Sequence, residues 1–119
     1  MNLADFQNLP LHGGFLLLRV SLTDEPMVDA MGRLALAKTR IIGSTMEIEL
    51  GCSMPDPHEI SISLYHEVLE AATVAAALPP RSVWELNETG FETAAQAYHQ
   101  RLGMASPRNL NQMLEEFGF

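Results

Sequence analysis

His66, Glu67 and Glu70 stand together in the run His66-Glu67-Val68-Leu69-Glu70. In a helix, residues four apart project from adjacent turns of one face, so His66 and Glu70 could grip one ion, with Glu67 reaching from the same side. A second set follows in Glu88, Glu92 and His99, which fall within about 40° of one another on a helical wheel and are flanked by the apolar Phe91, Ala95 and Leu102. Imidazole and carboxylate are donors for divalent transition ions and also the acid and base groups of hydrolysis. Each set has a plainer reading. The first could be an acidic rim with an incidental histidine; Glu92 could be the reciprocal acid of a Thr89 cap, and His99 a surface residue.

Two helices must position these residues. Asp56-Pro57-His58-Glu59 supplies an N-cap, a proline at the first helical position and a glutamate at the third. A helix is therefore expected over 57–78, ended by Pro79-Pro80. Around it, Glu59, Ser63, His66, Glu67, Glu70 and Thr73 share a sector of about 120° and most of the remaining circumference is apolar. Residues 57–78 contain no Lys, Arg or Gln, the usual material of a solvated helical stripe. The alanines Ala71, Ala72, Ala75, Ala76 and Ala77 would admit another element closely, as for a central helix packed on a sheet. A second helix starts after Asn87 or at the capping box Thr89-Gly90-Phe91-Glu92 and ends near Gly103. A third starts at Ser106-Pro107, buries Leu110, Met113, Leu114 and Phe117, and stops at Gly118.

The first half of the chain has a different period. Residues 15–22 read as a strand after the Gly13-Gly14 turn, and Met46, Ile48 and Leu50 alternate with Glu47 and Glu49 in a strand with one wet face. Between them, residues 33–40 alternate weakly, while 29–38 could equally be drawn as a short helix. Gly43-Ser44 marks a turn. The expected class is α+β, a small antiparallel sheet followed by three helices.

With 119 residues and 47% hydrophobic content, the chain should form one domain with a radius of gyration of about 13–14 Å, needing neither disulfide nor structural metal. The single cysteine, Cys52, excludes an internal disulfide and a cysteine-based zinc site, and fits a reducing cytoplasm. No apolar run approaches the ~18 residues of a membrane span, and Met1-Asn2-Leu3-Ala4-Asp5 lacks the basic start of a signal peptide. A net charge of −8 argues against a nucleic-acid partner. Residues 41–100 hold nine acids against Arg81 alone, which points to a cation or a basic partner at the middle of the chain.

His66-Glu67-Val68-Leu69-Glu70 on a buried helix, followed by Asn87-Glu88-Thr89-Gly90-Phe91-Glu92, resembles a minimal zincin of the gluzincin branch. There the zinc helix carries HExxH and the next helix NExxxD. The likeness covers roughly residues 44–102. It implies a single zincin-like domain over residues 1–119 and a metal-dependent hydrolase similar to a zinc metallopeptidase. By the same likeness His66, Glu70 and Glu88 would hold one zinc ion, Glu67 would act as general base on the attacking water, and Glu92 would orient His66. Two positions depart from the pattern: Glu70 replaces the second histidine and Glu92 the aspartate. A second anionic ligand lowers the ion's Lewis acidity and relaxes the preference for zinc toward manganese or iron. His99 would supply a second nitrogen ligand if it reaches the ion. The chain contains no Glu-x-x-His, which disfavours a carboxylate-bridged di-iron site. The alternative on the same fold is an acidic module that docks a peptide or basic protein without catalysis. A third possibility is an accessory subunit that binds a larger protein through an apolar surface around Phe117 and Phe119.

Overall fold

Alternating and helical periods divide the chain as expected at most positions. The computed structural model describes residues 1–24, 37–51 and 56–119. Cys52 and residues 29–36 of the ambiguous segment lie outside them. Strands β1 (Leu9–Leu11), β2 (Phe15–Thr23), β3 (Ala37–Ile42) and β4 (Thr45–Gly51) precede helices α1 (Pro57–Ala75), α2 (Glu88–Leu102) and α3 (Pro107–Phe117). The radius of gyration is 13.3 Å. Residues 37 and 38, part of the stretch that could be drawn either way, are strand.

The four-stranded sheet has the order β1-β2-β4-β3 and is mixed rather than antiparallel. β2 pairs antiparallel with β1 but parallel with β4, and β4 pairs antiparallel with β3. Alternation shows which face of a strand is wet; it carries no information on which strand lies beside it. Here the β3–β4 hairpin turns at Gly43, where φ is +62°, and inserts β4 between β3 and β2. That insertion makes β2 and β4 parallel, with the intervening chain long enough to serve as the crossover a parallel pair requires. A register shift between Leu17 and Arg19 lets both Leu17 and Val20 face the core, although they are three apart.

Met46, Ile48 and Leu50 of β4 are fully buried beneath α1. On the opposite face Glu47 stands in register with Arg19 and Arg40, and Glu49 with Lys38. These two acids of the central segment therefore stand opposite bases on neighbouring strands.

Asp56 caps α1 by accepting from the His58 N–H at 2.9 Å, and Pro57 opens the helix. The helix ends at Ala75, three residues short of the expected 78, because Ala76 turns extended at φ −68°, ψ 132°. Pro79 has no N–H to donate to the Ala75 carbonyl four residues before it, and its ring would crowd that carbonyl, which disfavours helix beyond Ala75. Leu64, Tyr65, Val68, Leu69 and Ala72 are completely buried, and α1 touches β3, β4, α2 and α3. It is the central helix of the fold. The Tyr65 hydroxyl donates to the Gly103 carbonyl at 2.9 Å, tying α1 to the end of α2.

α3 starts where Ser106 accepts from the Asn109 N–H, buries Leu110, Met113 and Leu114, and ends on left-handed Gly118. Phe117 packs against Tyr98, and Phe119 meets Phe15 edge-on with ring centres 5.8 Å apart. Both rings are half-buried against neighbouring rings. Among the described residues, no helix is long and apolar enough to cross a membrane.

Candidate metal centre

The polar sector of α1 is enclosed by β3 on one side and α2 on the other. α2 begins at Glu88 because Asn87, extended at φ −104°, accepts the Gly90 N–H at 2.8 Å. Of the two starts open in the sequence, Asn87 is the cap. Glu92 consequently lies one turn inside the helix, relieved of any capping duty, and Glu88 sits at the helix start beside it.

His66 is the hub of the site, 8% exposed and packed beside the Phe91 ring. Its Nε2 lies 2.9 Å from Glu70 Oε2 and 3.2 Å from Glu88 Oε2, while Nδ1 lies 3.2 Å from Glu92 Oε2. Glu67 turns toward β3, where the Thr39 hydroxyl donates to its Oε2 at 2.7 Å. Ligand atoms of His66, Glu67 and Glu70 all lie within 4.8 Å of one another. The outer wall is an open groove lined by His66, Glu88, Thr89, Glu92, Thr93 and Gln96.

The carboxylates set the protonation state. The hydrogen bond to Glu70 raises the His66 pKa to about 9 against the opposing effect of burial, with the charges of Glu67 and Glu88 and the Glu92 contact adding to the rise. Glu70 is correspondingly lowered by His66. Glu67 is raised, mainly by burial, against the Thr39 hydrogen bond and the His66 charge. Glu88 is raised by desolvation and then by its neighbour Glu70. In the metal-free chain the imidazole is thus a protonated cation surrounded by acids.

The same spacing suits an ion. Neighbouring donors on a tetrahedral or octahedral ion with bonds of about 2.0–2.2 Å are roughly 3.0–3.5 Å apart, close to the Nε2 to carboxylate distances here. Replacing the Nε2 proton by a cation would leave Nδ1–H donating to Glu92, an arrangement that fixes the tautomer of ligating histidines.

His99 does not join this group. Its Nε2 lies 3.0 Å from His58 Nδ1 and its Nδ1 2.8 Å from Ser61 Oγ. Both ring nitrogens are engaged at the first turns of α1, seven residues beyond Glu92 along α2, or about 10 Å of helix. The helical wheel aligned His99 with Glu88 and Glu92 in angle and ignored this distance along the axis. Thr39 was missed for the opposite reason. It belongs to a strand whose place beside α1 is set by sheet order, and nothing around it in the sequence marks it. No family model matches the sequence, and no curated protein or solved structure matches it.

Proposed function

We propose that the groove between α1 and α2 holds one divalent transition ion through His66 Nε2, Glu70 and Glu88. On this reading the protein is a metal-dependent hydrolase resembling a minimal zinc peptidase, with Glu67 as its general base. The observation that carries it is the pairing of both His66 nitrogens with carboxylates, two on the Nε2 side and one on the Nδ1 side, from two different helices. An exposed acidic rim has no reason to build its acids around a buried imidazole.

Zinc fits the donor set, and the carboxylate-rich composition admits manganese or iron. The ion, when bound, polarises a carbonyl and makes water more acidic. Every other part is played by the chain. Glu92 holds the His66 ring so that Nε2 faces the groove. Glu67 keeps a carboxylate of raised pKa beside the ligands, suited to taking a proton from the attacking water, and Thr39 fixes its orientation. A peptide or amide is the substrate class of the proposal, and a cytoplasmic setting accords with a single cysteine among 119 residues.

A second reading is supported by the exposure of the outer acids. The Glu88 and Glu92 side chains are 75% and 43% exposed, so the same groove can attract a basic peptide or protein without turnover. Zinc titration of the native chain and of Glu70→His separates the two. In a metal centre, a neutral imidazole in place of an anion gives a stronger nitrogen donor, raises zinc affinity and makes bound water more acidic. In a docking groove the change removes one negative charge, weakens a basic ligand and leaves zinc binding the same in both proteins. Equal zinc binding by both, with no ion gained or strengthened by Glu70→His, overturns the metal-centre reading.

A further inference from the structure

The His58–His99 pair lies apart from the groove and serves no step proposed above. His58 is in the first turn of α1 and His99 in the last turn of α2, so the contact joins helices at opposite ends of their own directions. The rings are nearly perpendicular, 87° between planes, with centres 5.1 Å apart and His58 Nδ1 and His99 Nε2 separated by 3.0 Å. His58 is exposed and His99 half-buried.

A third residue controls His99. Ser61 is completely buried and accepts the Ala105 N–H at 2.7 Å, while its Oγ lies 2.8 Å from His99 Nδ1. The hydroxyl oxygen has a second lone pair, so it can either donate its proton to Nδ1 or accept one from it. In the first case His99 carries its proton on Nε2 and donates to His58. In the second, the proton sits on Nδ1 and the Nε2 lone pair accepts from His58 Nδ1–H.

The geometry points to a second, separate metal site in which His58 Nδ1 and His99 Nε2 together bind a borderline divalent transition ion. Two nitrogens on a tetrahedral ion with bonds of about 2.0–2.1 Å are ~3.3 Å apart, a few tenths of an ångström more than the separation here. The rings therefore need only a small opening. Binding moves the His99 proton from Nε2 to Nδ1, where it is donated to Ser61 Oγ as the Ser61 hydroxyl hydrogen turns away, so both rings stay neutral and no proton is released. That hydrogen bond supplies the orienting contact that ligating imidazoles commonly have. His58 Nε2–H remains directed outward, and water completes the coordination. The helix dipoles are close to neutral in effect, because the positive start of α1 and the negative end of α2 lie side by side. Bound here, an ion would clamp α1 to α2.

Zinc alone is the probe. Equilibrium dialysis at pH 7.5 counts ions on the native full-length chain, on His58→Asn and on Glu70→Gln. His58 is exposed, so its replacement leaves the packing intact. The expected result is that His58→Asn loses one ion, or binds it about tenfold or more weakly, while Glu70→Gln retains that ion. In parallel, zinc should shift the imidazole nitrogen resonances of His58 and His99 in the Glu70→Gln protein. Unchanged stoichiometry and affinity in His58→Asn, or stationary resonances for both rings, overturns the inference. Failure of the α1–α2 groove reads differently, as an ion count that Glu70→Gln does not alter.

Discussion

Zinc must displace a proton from His66, and the acids that attract the ion also hold that proton. With the imidazole pKa at about 9 in the metal-free chain, roughly 1% of His66 is neutral at pH 7 by simple titration. Apparent zinc affinity at pH 7 should therefore lie ~100-fold below its high-pH limit, rising about tenfold per pH unit from 6 to 8.5. Each ion bound near neutrality should release close to one proton. Competition against a chromophoric chelator, corrected for the chelator's own protonation, gives the slope. Titration calorimetry in two buffers of different ionisation enthalpy counts the proton. The Glu70→Gln chain provides the control: it removes the largest cause of the raised pKa, so its pH dependence should flatten toward neutral pH even as its affinity falls. A native slope below roughly half a log unit per pH unit, or binding without proton release, would show that His66 Nε2 is not a ligand.

Other outcomes follow from the same geometry. Glu67→Gln should abolish metal-dependent hydrolysis and leave metal content unchanged, because the amide keeps the Thr39 contact but cannot take a proton; loss of the metal by elemental analysis would instead make Glu67 a ligand. Glu92→Gln should weaken zinc by about 10- to 100-fold without abolishing it, since Glu92 acts through the ring it orients; titration at fixed pH checks this. The metal-free protein should lose stability as pH rises. The folded His66 pKa lies above its unfolded value, so its contribution is complete below pH 6.5 and lost as pH passes about 9. The loss is at most ~3 kcal/mol and is visible in urea unfolding at a series of pH values. A flat profile over that range would refute the caged imidazolium.

The acids around His66 give these outcomes a common cause. Glu67, Glu70, Glu88 and Glu92 surround one imidazole, while the nearest strand acids, Glu47 and Glu49, stand opposite Arg19, Arg40 and Lys38. Like charges held close together repel, and among the described residues the metal-free site offsets them with the His66 proton and the Thr39 hydroxyl. A divalent cation would replace that single charge with two.

Local chemistry was legible in the chain alone. Asp56, Asn87 and Ser106 each accept an N–H within three residues of themselves, so a short window of sequence contains the whole cap. The wet and buried faces of β4 follow from alternation, and the grouping of His66 with Glu70 follows from helical pitch. Apart from the end of α1, which fell three residues early for a local reason, what the sequence lacked was the placement of one element against another. Parallel pairing of β2 with β4 depends on which strand occupies the middle of the sheet. The arrival of Thr39 at Glu67 depends on β3 lying under α1, a consequence of the same order. His99 shares an angle with Glu92, yet α2 runs back along α1 and carries it to His58 and Ser61 instead. Angle about a helix axis is set by covalent geometry within the element. Position along the neighbouring element is set by how two surfaces pack, and only the folded molecule determines that.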